Sequence, residues 1–485
     1  MVMLAAFMTP AALLLAAQEP QESDFYEVVD ISIPDSVVLE VGGIEQIGPE
    51  TLLACTRRGE VWRIDDFRSP TPEFSLWADG LQEPLGLLSR DGWIYCVTRG
   101  ELMRMRDSDD DGHADQFRTV ADGWDISGNY HEYNFGPRVD PEGNLWLTTN
   151  KPFGGEPFGR VEWRGWAMKV TPEGEMIPFA GGLRSPAGVE VSPWGEPFYT
   201  DNQGEWCGAS KLSHIEEGDF HGHPHGIGSA KLPGSKVAHP GNVPDGIMMP
   251  LAENDVPGFK LPAVWFPYDK MGRSPSGMAW DTSGGAFGPF DGQLFVGDQY
   301  SAELMRVSLE EVDGHWQGAC YPFRHGLGTG LIRVRQIDGG EMLVGGSDRG
   351  WAALGAKPWA LQRLRWTGKM PFEIAEMKAA PGGFLLHFTE QIDPDTLEAA
   401  ELKMSSYTYE LHAAYGSKEF ETQQLEVGSL QSLSVEPKAY FLPVKGLRSG
   451  YVHELHIDGV SSVSGQSLLH KQAYYTLIRL AKAPE

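Results

Sequence analysis

A histidine set immediately before an extended run is a candidate for proton chemistry, and His131 opens one: "HEYNFGPRVDPEGNLWLTTN". A neutral imidazole takes and returns protons near physiological pH, so it suits the removal of a hydroxyl proton. The competing reading is a hydrogen-bonded core histidine between Tyr130 and Tyr133. A second stretch, "RDSDDDGHADQF", has the pattern D-x-D-x-D-G-x-x-D through Asp107, Asp109, Asp111, Gly112 and Asp115. Alternate carboxylates with a glycine at the sharp turn and the carbonyl of His113 at the seventh position wrap a hard cation, so Ca²⁺ is expected. The twelfth position is Arg118, and "ELMRMR" and "QFRTVA" on either side read as strands. The ion would therefore fix a hairpin and take no part in chemistry. "IRVRQ" sets Arg333 and Arg335 on one strand face, suited to a ligand or to solvent. "GDFHGHPHGIGSAKLPGSKVAHPGN" offers His221, His223, His225 and His239 on a Gly- and Pro-rich loop, for a transition metal or part of a substrate wall.

These residues need a frame. Pro141 pre-sets its backbone angle, and Gly143 and Asn144 tolerate positive φ, so "DPEGN" reverses the chain between two strands. The same form, an apolar run, a turn with Gly and an aromatic-rich strand, recurs in six units from "GIEQIGPETLLACTRRGEVWRID" to "GLIRVRQIDGGEMLVGGSDRGWAALGAKPWALQRLRW". Their spacing, roughly 40 to 55 residues with one longer gap, is that of propeller blades. Cys55 and Cys96 lie in matching contexts, "ACTRRGEV" and "YCVTRGEL", so they read as equivalent positions and as buried thiols. The expected fold is all-β: a six-bladed β-propeller over residues 24–367, then an immunoglobulin-like β-sandwich over residues 371–480 as a stabilising appendage. An open sandwich is the weaker alternative. Function is sought on the loops of one propeller face.

The apolar run from Met1 to Ala17 reads as a signal peptide, residues 1–17, and no other stretch resembles a membrane span, which implies a periplasmic or secreted protein. A formal charge of −28 argues against nucleic acid and anionic membranes as partners. The sequence has no G-x-S-x-G, H-E-x-x-H, P-loop, dinucleotide fingerprint or haem-attaching C-x-x-C-H, whereas a glycosidase carboxylate pair stays open.

The stretch "GGLRSPAGVEVSPWGEPFYTDNQGEWCGASKLSHIEEGDFHGHP", with the His131 unit and "IRVRQIDGGEMLVGGSD", resembles the soluble quinoprotein glucose and sorbosone dehydrogenases over residues 80 to 366. "SGNYHEY", "RSPAG" and "YTDNQG" resemble the exported "membrane-bound dehydrogenase" propellers of planctomycete-group bacteria, and the tail "SYTYELHAAYGS" resembles their C-terminal module. The resemblance implies oxidation of a sugar or polyol with pyrroloquinoline quinone and Ca²⁺, and electrons passed to a separate carrier such as a cytochrome c. It casts His131 as the base and Arg184 as the charge facing the quinone carbonyl. Arg333 and Arg335 would hold the cofactor carboxylates, and backbone carbonyls of Gln203 and Gly204 the cofactor's Ca²⁺. Ser185 stands in the place of a usual Asn and Asn150 near that of an Asp that orients the base, both beside the cofactor; no Lys accompanies Gln299. Two other readings share the pocket: a non-catalytic binder of glycan or protein, with Trp124, Trp163, Trp166 and Trp206 stacking on sugars, and a hydrolase or lyase with His131 as base.

Overall fold

The computed structural model describes residues 19–153, 161–348 and 352–483; the expected signal peptide, residues 1–17, lies outside them. The described residues are almost wholly antiparallel β-structure. Five units repeat the same local order. Asn134–Val139, Leu145–Thr149, Trp166–Val170 and Met176–Gly181, for example, form one four-stranded sheet in sequence order. The sequence dictates this unit directly. Asp140 accepts the Gly143 N–H at 2.9 Å, its carboxylate takes the Asn144 N–H at 2.8 Å, and the Trp146 indole N–H closes on it at 2.9 Å. The reversal and the start of the next strand are thus held by one residue, through its backbone carbonyl and its carboxylate.

The first strands of successive units, Val41–Gly48, Leu87–Arg90, Asn134–Val139, Pro186–Val191, Pro275–Trp280 and Leu331–Gln336, each touch the next, and the last touches the first. Glycine makes this close approach possible. A Cβ on Gly86 would overlap the Gly136 carbonyl, and one on Gly188 would overlap that of Ser276. The ring is completed from the other end of the chain, because Tyr26–Asp30 pairs with Trp359–Trp366 as the outer strand of the last sheet. Between sheets lie apolar layers in which Leu147, Trp166, Phe198 and Leu212 have no exposed surface. Each contributes on the order of 1.5–3 kcal/mol by burial. All four cysteines are buried thiols.

After Trp366 the chain builds two more sheets. One contains Ile374–Ala380, Gly383–Phe388 and Glu436–Lys445. The other, with Glu401–Thr408, Tyr451–Asp458 and Gln472–Leu477, is continuous with the sheet of Pro275–Trp280, because His315–Arg324 pairs with Gln472–Leu477. Phe384, Leu386, Met404, Leu455 and Tyr475 fill the space between the two. Among the described residues no helix is long and apolar enough to cross a membrane.

Candidate active site

His131 is held at the head of its strand by short-range bonds that the sequence supplies. Its N–H donates to Asn129 Oδ1 at 3.0 Å, and the fully buried Glu132 carboxylate gathers the N–H groups of Ser127 and Gly128. Backbone bonds fix its surroundings: Asn150 N–H to the Tyr133 carbonyl at 2.8 Å within the same hairpin, and Lys151 N–H to the Arg184 carbonyl of the next unit at 3.1 Å. The imidazole, 3 % exposed, lies flat on the Phe153 ring at 3.5 Å.

The hydrogen bonds of the ring settle its tautomer. Nδ1 is 2.9 Å from the Lys151 carbonyl, which only accepts, so Nδ1 carries the proton. Nε2 then presents its lone pair to the Ser185 hydroxyl, which donates to it at 3.1 Å. Burial, reinforced by the charges of Arg184 and Lys151, pulls the His131 pKa down to about 3, so the ring is neutral at physiological pH.

Arg184 and Ser185 are aimed by Asp201, whose carboxylate accepts both backbone N–H groups at 3.0 and 2.7 Å. The Asn150 amide donates to Ser185 Oγ at 3.4 Å, and its own carbonyl oxygen is buried with no partner. Beside it, Glu205 takes the Lys151 ammonium at 2.7 Å and the Arg184 guanidinium at 2.9 and 3.1 Å. Burial opposes ionisation of this carboxyl, but Arg184 and Lys151 outweigh it and bring its pKa to about 2. Two cations share one carboxylate, which leaves positive charge next to His131.

Part of this site comes from the C-terminal region. The Arg184 guanidinium lies between the rings of Phe153 and Tyr415, at 5.1 and 5.2 Å. Tyr415 is 69 % exposed, on a segment tied down by Trp206 N–H to the His412 carbonyl at 2.8 Å and Gly416 N–H to the Gly204 carbonyl at 3.0 Å. Sequence reasoning missed Lys151, Glu205 and Tyr415. Glu205 lay inside a quoted motif that drew attention only to its backbone, and Tyr415 carried the signal of an aromatic next to a turn glycine.

The remaining expected residues are placed elsewhere or otherwise engaged. Arg333 is buried among the inner strands, donating to the carbonyls of Ala187 at 3.0 Å and Leu85 over the Phe135 ring, and burial with the nearby Arg138 charge lowers its pKa to about 9. Arg335 pairs with Glu45 at 3.0 Å, which raises its pKa. The Gln203 amide donates to the Gly208 carbonyl at 3.1 Å, and a Cβ on Gly204 would overlap Arg184. With Arg333 held by inner-strand carbonyls, Arg335 neutralised by Glu45, and the Gly204 carbonyl accepting from the N–H groups of Gly416 and Cys207, these residues do not fit pyrroloquinoline quinone held as the resemblance implies.

In the acidic loop, carboxylate oxygens of Asp107, Asp109 and Asp111 lie within 4.8 Å of one another, and Asp107 Oδ1 is buried without a partner. The Asp111 charge raises the Asp109 pKa. Asp115 instead accepts from the Ser108 N–H and hydroxyl at 2.9 and 2.6 Å, and His113 donates its own N–H to Asp111. His221 and His223 are buried while His239 is exposed, and among the described residues the four loop histidines do not converge to ligand spacing. Trp124, Trp163 and Trp166 are core residues, not surface platforms, because their rings face the apolar layers between sheets; Trp206 is half-buried.

A domain of unknown function, DUF7133, matches residues 69–233. No curated protein matches. Among solved structures, the PQQ-bound aldose sugar dehydrogenase of Streptomyces coelicolor is 16 % identical, over 70 % of this chain and 98 % of that one, with a TM-score of 0.51. A Thermus thermophilus protein described as an oxidoreductase (glucose dehydrogenase) is 20 % identical, over 70 % and 99 %, with a TM-score of 0.50. The Trichoderma reesei carbohydrate-active enzyme of family AA12 is 14 % identical, over 72 % and 98 %, also at 0.50. At these identities the likeness shows the fold: an all-β, propeller-like arrangement of four-stranded sheets.

Proposed function

We propose that the protein is an exported six-bladed β-propeller with a C-terminal immunoglobulin-like sandwich, acting as a dehydrogenase on a hydroxyl of a sugar or polyol. The observation that carries this reading is the neutral, buried His131, whose bare Nε2 faces a hydroxyl at 3.1 Å beside surplus positive charge. A substrate hydroxyl displaces Ser185 Oγ at Nε2 and gives up its proton there. The Lys151 carbonyl keeps hold of Nδ1–H and stabilises the imidazolium that forms. The Arg184 charge stabilises the developing alkoxide. The hydrogen on carbon then leaves as hydride to a diffusible two-electron acceptor of the quinone class, which is reduced to the quinol as the substrate becomes the carbonyl product. The unpartnered Asn150 carbonyl oxygen supports a hydroxyl-rich ligand, since it offers an acceptor to a second substrate hydroxyl. Ca²⁺ in the Asp107–Asp115 loop is structural in this reading.

The test is dye-linked oxidation of a sugar and polyol panel, with and without added pyrroloquinoline quinone, in the parent and in His131→Ala. Turnover lost in the variant supports the reading, and a parent inert to every substrate under both conditions removes it. One observation favours a second reading. The Ser185 hydroxyl donating to a neutral imidazole is also the geometry of a hydrolase nucleophile and its base. Ser185→Ala separates the two: it spares oxidation and abolishes ester cleavage.

A further inference from the structure

Away from this site, three distant stretches bring metal-ligating atoms together. Glu22 opens the short helix Glu22–Phe25, His325 follows the strand His315–Arg324, and His470 precedes Gln472–Leu477. One ligand atom from each lies within 4.8 Å of the others. Glu22 Oε1 is 2.6 Å from His325 Nδ1 and 3.0 Å from His470 Nε2. Its other oxygen is engaged separately, by the His325 N–H at 2.7 Å and the Arg324 guanidinium at 3.4 Å.

The far side of each ring is also arranged. His325 Nε2 meets Glu303 at 2.9 Å, and His470 Nδ1 meets Glu373 at 2.7 Å. A carboxylate behind each imidazole is how proteins fix the tautomer and direction of a metal-binding histidine. We propose that Glu22 Oε1, His325 Nδ1 and His470 Nε2 bind a divalent transition metal of the zinc type, with Glu303 and Glu373 as the carboxylates that orient the rings. Two imidazoles and a carboxylate suit such an ion, whereas Ca²⁺ and Mg²⁺ prefer oxygen alone. His325 is half-exposed, which leaves a fourth position open to water. Metal–ligand bonds of about 2.0–2.2 Å set tetrahedral ligands farther apart than they are here, so binding moves the exposed His325 ring outward. The ion would tie the start of the described chain to the sheet continuous with the C-terminal region.

The full chain, stripped by chelator, is titrated with Zn²⁺ by calorimetry and with Co²⁺ by visible absorption. One site per chain is expected, with a Co²⁺ spectrum of four-coordinate N/O ligation. Affinity should fall about 100-fold or more in Glu22→Gln and His325→Ala, and about 10- to 100-fold in Glu303→Gln. No binding at micromolar metal overturns the proposal. So does an affinity unchanged in these variants, since the ion would then sit elsewhere, such as among Asp107, Asp109 and Asp111. If His325→Ala fails to fold, the near-isosteric Glu303→Gln decides alone.

Discussion

Two clusters in this molecule hold histidines and treat them in opposite ways. At His131 the partners are a carbonyl and a hydroxyl, and burial drives the pKa to about 3. At His470 burial also opposes the charge, yet Glu373 and Glu22 raise the pKa to about 9; the bond to Glu22, with Glu303, takes His325 to about 10. The lesson is that burial alone does not decide protonation. A ring whose two nitrogens face a carbonyl and a hydroxyl is kept as a base, and one whose nitrogens face carboxylates is kept as a cation or opened to a metal.

The sharpest way to break this comparison is His131→Ala, which should lower turnover by about 10²- to 10⁴-fold while leaving Zn²⁺ affinity unchanged. Equal turnover would reduce His131 to a packing residue. Next in size, Glu205→Gln leaves Lys151 and Arg184 buried without their counter-charge. It should cost about 3 kcal/mol of unfolding free energy, read from denaturant midpoints. A variant as stable as the parent would mean that the two cations are already compensated elsewhere.

The pH dependence sharpens the contrast. His131 has a folded pKa below the unfolded value of about 6.5. The unfolded chain therefore gains the proton first, and stability falls as pH drops from about 6.5 toward 3. For the metal-free chain the sign reverses at His470, whose folded pKa is raised. The stability it contributes is complete below about 6.5 and is lost as pH rises through about 9. Imidazole ¹⁵N shifts check both: His131 should stay neutral with Nδ1–H across pH 5 to 8, and His470 should stay doubly protonated. The smallest effect is expected for Tyr415→Ala, about 1 kcal/mol of unfolding free energy from the lost cation–π contact with Arg184, read from denaturant midpoints. An unchanged midpoint would mean that the exposed ring contributes nothing to holding Arg184.

What was legible in the sequence was local. Pro141, Gly143 and Asn144 declared their turn, although only Gly143 takes a positive φ, and the matching contexts of Cys55 and Cys96 marked equivalent strands, Thr51–Thr56 and Trp93–Val97. The nearness of His131 to Ser185 came through resemblance and not through spacing, since 54 residues separate them. Lys151 with Glu205 and Glu22 with His470 were not legible, because a periodic pattern describes one sheet and is silent about which sheets become neighbours once the ring closes. Arg333 and Arg335 show the same limit from the other side. Their i, i+2 spacing correctly put them on one face, but only packing shows that Glu45 and inner-strand carbonyls already occupy them.

The joint between Tyr26–Asp30 and Trp359–Trp366 has a consequence for biogenesis. During synthesis, the first of the described strands exists long before its partner does, and it waits with its edge groups and the Tyr26 ring uncovered. Such an edge is a template for pairing with the wrong chain. Ring closure is thus a late, long-range event, and until it happens this strand is the part of the sheet framework most exposed to mispairing.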